Sequence, residues 1–469
     1  MSLQRIDRWT LAELPRWNRA VLAGTATGAG LVDAVDVVLR DAPDPDVLSP
    51  VEAQRLVVDL GLAGVCVARH FQERDPARKA TPEQAFAPLV VGAGQRGFLE
   101  YFAALADRTA TGHPPRDSYA SLVRWNVPTT SVVWNGQALA VLPGVFADGS
   151  VRTYTGDAGE QRFFGLLKNC ETVERAVNDL LEPISDGAVD LFGADARWRV
   201  RLATALLEVL RLMCVEFAAL PPGHGLRTDY FLDVFRQFAV HWRYDDIPPS
   251  GALDPEAPRR DLLLGIALPG YRSHVRRVWP ALLVKERAEI DRLMDRPTLP
   301  GMLLRRLDLA GGALGSLPVP DLSRLVREHP VLADWWLLLD ANARVAGAHL
   351  MLSRTFLFRP QRDREYAGFG DRPLVSNRRG TTGMDEGILE RLTLARREHA
   401  LTALRAVPRQ VLTDCAGGGQ PPVADLVAAI EVRTVGRGQP VWPTRLRAAD
   451  GSPHQAGEPE ALQLGGGRR

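Results

Sequence analysis

The sequence predicts a mainly α protein, with a small N-terminal helical domain over residues 1–120, a larger helical domain over 121–410 and a C-terminal extension over 411–469. Three observations carry this reading. Long segments repeat apolar residues at steps of three and four, the period of one helix face. Alanine, leucine and valine are abundant and the basic residues are mostly arginine, a composition that suits helices. Strand-like alternation is confined to one short region, Ser131 to Gly156.

In the N-terminal part, Leu31 to Leu39 and Val51 to Phe71 carry helical periodicity, and Ser49-Pro50 supplies a cap and first turn for the second of them. Phe71 to Pro88 is charged and broken by proline, so it reads as a loop. A further helix runs from about Gly94 to Asp107. The turn-rich segment Thr111 to Asp117 marks the domain boundary. The stretch SVVWNGQALAVLPG then alternates around Asn135-Gly136, a hairpin signal, and Asp148-Gly149 is a second turn. This is a short β excursion, not a sheet-based domain.

From Phe163 helices resume, at Phe163 to Leu181, Trp198 to Leu220 and Tyr230 to Val240. Pro248 to Pro258 reads as a surface loop. Leu262 to Leu268, Val275 to Met294, Met302 to Leu307 and Leu322 to Glu328 are helical in turn. The stretch the chain is organised around is Trp335 to Pro360, where Leu338, Val345, Leu352 and Phe356 form one stripe and Pro360 supplies the stop. Arg364 to Arg379 is a long polar loop of the kind that forms lids, leading to an amphipathic segment from Ile388 to Ala395. Beyond about Val411 the composition shifts to Gly, Pro, Arg and Ala, and the stretch from about Arg447 is expected to be disordered.

Composition excludes several classes of function. Lysine plus arginine numbers 57 against 56 for aspartate plus glutamate, so no bulk field draws nucleic acid or an anionic membrane. The four cysteines, Cys66, Cys170, Cys214 and Cys415, form no CxxC or CxxCH, which excludes a zinc ribbon, a c-type haem attachment and a small disulfide framework. The charged N-terminus, MSLQRIDRWTLAELPRW, lacks the apolar core of a signal peptide, and no run has the length and purity of a membrane span. The expectation is a soluble, cytoplasmic protein that binds neither nucleic acid nor membrane.

Three groups of residues carry chemistry. His349 lies on the apolar stripe, just after the small residues Ala341, Ala343, Ala346, Gly347 and Ala348, which admit either another helix or a flat cofactor. On pattern alone it is a core histidine or a ligand. Arg236 sits among Phe231, Phe235 and Phe238, so its guanidinium borders a core and requires an anion. That anion is a protein acid, such as Asp233, or a substrate carboxylate held in a bidentate clamp. Finally, Asn377 to Asp385 reads NRRGTTGMD, where Gly380 and Gly383 allow a tight turn and Thr381 and Thr382 offer hydroxyls. It is no Walker loop, since GK[ST] is missing.

In this order the pieces resemble the haem-dependent indoleamine and tryptophan 2,3-dioxygenase superfamily, including its monodechloroaminopyrrolnitrin synthase offshoot. The resemblance covers roughly residues 125 to 405. It rests on His349-Leu350 followed by Phe356, Leu357 and Pro360; on Gly380-Thr381-Thr382-Gly383; on Phe231 with Arg236; on Phe163-Phe164 followed by Glu171; and on Trp134-Asn135 and Tyr154-Thr155-Gly156. This chain has Leu167 where the indoleamine enzymes carry a serine and the tryptophan enzymes a histidine. Thr382 replaces a glycine, and PPSGALDPEAP stands where the indoleamine enzymes have a glycine/serine-rich loop.

The resemblance implies a helical haem-binding domain with a smaller N-terminal helical domain, and haem b as cofactor with His349 as the iron ligand, its second ring nitrogen hydrogen-bonded to fix the tautomer. Gly380 and Gly383 would shape the cofactor-side turn. Phe163, Phe164 and Leu167 would pack the substrate ring, Arg236 would hold its carboxylate, and Thr381 would hydrogen-bond its ammonium or the dioxygen. The implied activity is oxidation by dioxygen of tryptophan or a substituted indole amino acid. The alternatives are a haem-dependent oxidative rearrangement of the pyrrolnitrin-synthase kind, or a non-catalytic helical protein that binds haem or serves as an interaction module.

Overall fold

The computed structural model describes residues 2–435 except 222–224, 267, 310–311, 369–373, 376–378, 381 and 417–420. The protein is mainly helical, and most of its buried apolar side chains form one large cluster that runs from Ile6 to Val432, with Leu232, Leu357 and Phe358 in a small second one. The N-terminal part is stitched to the rest by buried polar contacts. The amide of Asn18 donates to the Tyr154 carbonyl at 2.7 Å, and Gln72 donates to the His241 carbonyl at 2.8 Å. Arg116, in the segment expected to mark a boundary, is itself buried and bridges Asp117 and Asp246.

Helix α1 (Pro50–Glu73) starts as its sequence indicates. The Ser49 hydroxyl accepts from the Glu52 amide, and the Glu52 carboxylate takes the Ser49 amide in return, a capping box with Pro50 in the first turn. Gly64 on this helix admits Trp242, whose ring would lie 2.6 Å from any added Cβ. The hairpin forms where Asn135-Gly136 places it: β1 (Thr130–Trp134) pairs antiparallel with β2 (Gln137–Leu142), and both turn residues have positive φ. A third strand, β3 (Ile430–Thr434), pairs antiparallel with the other edge of β1, giving the order β2-β1-β3. The C-terminal region beyond residue 411 is thus structured in part, with helices Arg409–Cys415 and Val423–Ala429 before that strand. The stretch from Arg447, expected to be disordered, lies outside the described residues.

The heart of the molecule is a packed trio: α2 (Ala158–Ser185), α3 (Ala194–Ala218) and α5 (Val331–Ser353), with the shorter α4 (Glu256–Leu264) against α2 and α6 (Glu386–Arg397) against α5. The alanines of this run in α5 are buried and Gly347 is half-buried, where an added Cβ would lie 3.6 Å from the Arg397 guanidinium. Helix packing thus uses part of the small-residue run, while Ala346 also faces a cavity.

Two helical expectations and one loop expectation need correction. Pro360 does not stop the α5 segment: the helix widens into a π turn at Arg354–Phe358 and continues as Arg359–Tyr366, where Pro360 occupies the first turn and its missing N–H costs nothing. Val275 to Met294 is not one helix, because Pro280 breaks it into Tyr271–Val278, a tight turn at Trp279–Ala281, and Val284–Met294. The proline-rich segment 248–258 is not a surface loop. Leu253 and Glu256 are buried, and α4 begins within it. Among the described residues no helix is long and apolar enough to cross a membrane.

Candidate functional site

A cavity of about 390 Å³ lies between α2 and α5, within the size range of small-molecule sites. Both helices run along it. From α2 it receives Phe163, Phe164, Leu167, Cys170 and Glu174, positions separated by one, three and four residues that share a face. From α5 and its π turn it receives Val345, His349, Leu352 and Phe356. The Phe163 ring meets Phe231 edge-on at 5.8 Å and Phe235 at 5.5 Å, and the Phe356 ring meets Phe231 at 6.3 Å. The Phe231–Phe235 segment, itself a π turn, therefore closes one end of the slot and delivers Arg236 there. Glu174 stands at the other end, eleven residues along α2 from Phe163, or roughly 16 Å at about 1.5 Å per residue.

His349 is exposed, but to the cavity and not to bulk solvent: protein surrounds the ring closely enough that burial, helped by the charges of Arg396 and Arg260 and opposed by Glu174, holds its pKa below the ordinary value. At neutral pH the imidazole is uncharged and able to ligate. Its ring makes no hydrogen bond to any described residue, so the expected tautomer-fixing partner is not found among them. His241 pairs with Asp246, His274 lies at 2.9 Å from the Arg277 guanidinium, and the His399 ring accepts from the Leu401 amide at 3.3 Å. Among the described residues no three His, Cys, Asp or Glu side chains group as a metal site. A porphyrin, which brings its own nitrogens, would need His349 alone.

Arg236 is 6% exposed and lines the cavity. One terminal nitrogen donates to the Arg379 carbonyl, while the other, Nη1, is buried with no hydrogen-bond partner. No acid pairs with it among the described residues. Asp233, the obvious candidate, is engaged by Arg364, with Nη2 at 2.8 Å from Oδ2. Burial without a counterion pulls the guanidinium pKa down to about 10, and it remains charged at neutral pH. Such a cation is costly to bury unless something anionic meets it.

The glycine turn presents a backbone and one hydroxyl. Gly380 lines the cavity, its amide donating to the Met384 carbonyl at 2.6 Å. Gly383 has a φ of +78° and shapes the turn without touching the cavity. Thr381 lies outside the described residues. Thr382 lines the wall, 8% exposed, with its hydroxyl buried and unpartnered. Asp385 then caps α6 by accepting the Ile388 amide at 2.8 Å.

The structure therefore brings Phe163, Phe164, Leu167, Arg236, His349 and Gly380 to one cavity and leaves Gly383 beside it. It adds a polar cluster that sequence reasoning missed. At the Glu174 end, Arg260 pairs with Glu174, Arg396 grips Asp261 with bonds of 2.7 and 2.9 Å, and the Tyr271 hydroxyl donates to Asp261 at 2.6 Å. Burial would raise the Asp261 carboxyl, but Arg396 and Arg260 outweigh it and hold the pKa below its usual value. Asp254 lies against Glu174, and burial with the neighbouring charges of Glu174 and Glu171 pushes its carboxyl well above the normal range. Only Glu174 left a trace in the sequence, on the same helical stripe as Phe163 and Cys170. No protein-family model matches the chain, and no curated protein is significantly similar to it.

Proposed function

We propose that the chain is a haem b-dependent oxidoreductase of the indoleamine 2,3-dioxygenase type, acting with dioxygen on tryptophan or a substituted indole amino acid. The observation that carries this reading is the pairing, in one aromatic cavity, of an uncharged histidine and a buried arginine that have, among the described residues, no hydrogen-bond partner and no counterion respectively. A structural core histidine and a structural salt bridge would each have looked different.

The residues present fit a haem. His349 offers a neutral imidazole with no hydrogen-bond partner among the described residues, and the cavity walls are predominantly aliphatic and aromatic. Bound there, the cofactor would supply dioxygen activation. The remaining work falls to the chain's own groups. Arg236 pairs with the substrate carboxylate, which satisfies its orphan Nη1. Phe163, Phe164 and Leu167 hold the ring edge-on or in stacked contact and keep water away. Thr382, whose hydroxyl has no partner among the described residues, accepts from the substrate ammonium, one of the two roles expected of its neighbour Thr381. Leu167 supplies no proton-transfer group beside the ring, which suits addition of dioxygen to an electron-rich indole without a general base.

An absorption spectrum tests the cofactor. Protein purified from cells supplied with haem should show a Soret band that shifts with dithionite and carbon monoxide, and His349→Ala should lose haem or change that spectrum. A colourless wild-type protein, or an unchanged spectrum in the variant, overturns the assignment. Mass spectrometry of products from tryptophan and halotryptophans, with ascorbate and oxygen, then separates ring opening from side-chain rearrangement.

A further inference from the structure

Two cysteines meet in the wall of the cavity. Cys170 stands on α2 and Cys214 on α3, and both line the space that Leu167 and His349 also line. The two helices pack against each other, and the Phe163 ring meets that of Phe217 at 6.2 Å. That contact lies about two turns along α2 from Cys170 and about one turn along α3 from Cys214. The two thiols share a hydrogen bond. This bond, together with burial, pushes Cys170 well above the ordinary thiol range, so it rests protonated at neutral pH. The other cysteines are placed differently. Cys66 is sealed in the core, where the Asn18 amide donates to its sulfur at 2.9 Å, and Cys415 ends a helix outside the cavity. All four are free thiols.

We propose that Cys170 and Cys214 are a reversible oxidation site, at which hydrogen peroxide entering the cavity converts the thiol pair into a disulfide that ties α2 to α3. One sulfur attacks a peroxide oxygen and the O–O bond breaks. The departing hydroxide takes that thiol's proton, which leaves a sulfenic acid and one water. The second sulfur then attacks the sulfenic sulfur and the S–O bond breaks. Hydroxide leaves with the second thiol's proton as another water, so the two electrons lost by the sulfurs reside in the former peroxide oxygens. The geometry favours this outcome over deeper oxidation, because a sulfenic acid formed at either cysteine has its resolving thiol already in contact. The cavity admits an oxidant of two heavy atoms and keeps out the thiols of other proteins. Once the bond closes, the wall loses both S–H donors, and α2 is fastened to α3 about one turn from Leu167. None of this depends on the cofactor or on the substrate.

Peptide mapping of the full-length protein tests this. The protein is exposed to hydrogen peroxide, freed of oxidant with catalase, alkylated in denaturant and digested without reductant. The Cys170 and Cys214 peptides should then appear as one species, two hydrogens lighter than their sum. It should be at least tenfold more abundant than in untreated protein and should vanish with dithiothreitol. Cys170→Ser and Cys214→Ser should each abolish it and leave the remaining thiol as a sulfenic acid that dimedone traps. Separate recovery of the two peptides from treated wild type overturns the proposal, and so does a cross-link of either residue to Cys66 or Cys415. That map decides the matter even where a serine variant folds poorly. Phenylarsine oxide, which bridges two neighbouring thiols with loss of one water, supplies a measurement that needs no oxidant. Wild type should bind one per chain, at least tenfold more tightly than either serine variant, and equal binding by all three would show that the pair is not in reach of a common partner.

Discussion

Arg236 separates a ligand-holding role from a structural one more sharply than any other side chain in the molecule. A salt-bridged arginine would have a carboxylate within reach, but the nearest acid in sequence, Asp233, is occupied by Arg364. Among the described residues truncation therefore breaks no ion pair, yet it removes the one unpaired cation they place at that end of the cavity. Losing one partner of a buried, hydrogen-bonded charge pair costs about 2–5 kcal/mol. Arg236→Ala should accordingly lower kcat/KM for an indole amino acid by more than roughly tenfold, the factor that about 1.4 kcal/mol represents, with haem content near wild type. Tryptamine-like analogues without the carboxylate should be affected far less. Parallel losses for both would make Arg236 a structural residue, and an unaltered kcat/KM would remove it from the site.

Among the elements, the segment between α5 and α6 has the clearest functional signature. Its described parts are tied to the turn that carries Arg236: Arg364 pairs with Asp233, the Val375 amide donates to Gln237 at 3.0 Å, and the Arg379 carbonyl receives Arg236 itself. Residues 369–373 and 376–378 of the segment lie outside the described residues. Of its described apolar residues, Tyr366 is exposed and Leu374 only half-buried, so opening of these parts is cheap. A substrate carboxylate on Arg236 would hold the turn to which the segment is attached. Limited proteolysis between Gln361 and Arg379 should slow several-fold at saturating substrate, and equal cleavage with and without substrate would count against a lid.

Elements also show where sequence reasoning reaches its limit. The stripes of α2 and α5, the hairpin at Asn135-Gly136 and the Ser49 cap were legible because each is decided by neighbours three or four residues away. The role of the segment 248–258 was not legible. Proline and glycine do mark it as irregular, but whether an irregular segment faces water or a cavity depends on α2, which lies some seventy or more residues earlier in the chain. The same holds for the cluster of Glu174, Asp254, Arg260 and Arg396, assembled from α2, the loop before α4, α4 itself and α6. Each is an ordinary charged residue in sequence, and only packing makes them a group. Strand β3 escaped notice because five residues ending an Ala-rich stretch carry little periodicity; its partner strand defines it.

At the scale of the whole molecule, burial of titratable groups links stability to pH. His113 is fully enclosed, its Nδ1 on the Pro114 carbonyl at 2.8 Å and its Nε2 on the Ser118 hydroxyl at 2.7 Å. Burial drives its pKa down to about 3, and burial together with Arg405 drives that of His399 to about 4. The unfolded chain binds these protons near the ordinary histidine value of about 6.5, so it holds more protons than the native state between that pH and the depressed values. The contribution of these groups to stability is complete above about pH 6.5 and is lost as pH falls toward 3–4. Melting temperature should fall across this window, and His113→Gln, which keeps a donor and an acceptor at the site, should flatten the slope. An identical pH profile in the variant would show that His113 plays no part.

Strand β3 sets a condition on how the molecule comes into being. Its partner β1 lies about 300 residues earlier, with α2, α3, α5 and the cavity between them in the chain. As the polypeptide emerges from the ribosome, β1 and β2 can pair at once, but the far edge of β1 stays open until residue 434 has been made. For that whole interval the young chain carries an unpaired strand edge, the kind of surface on which a second chain can add. The helices around the cavity can collapse earlier, because their contacts are closer in sequence. Synthesis thus builds the pocket first and fastens the sheet last, and the yield of intact protein depends on how long the nascent chain is shielded from its neighbours.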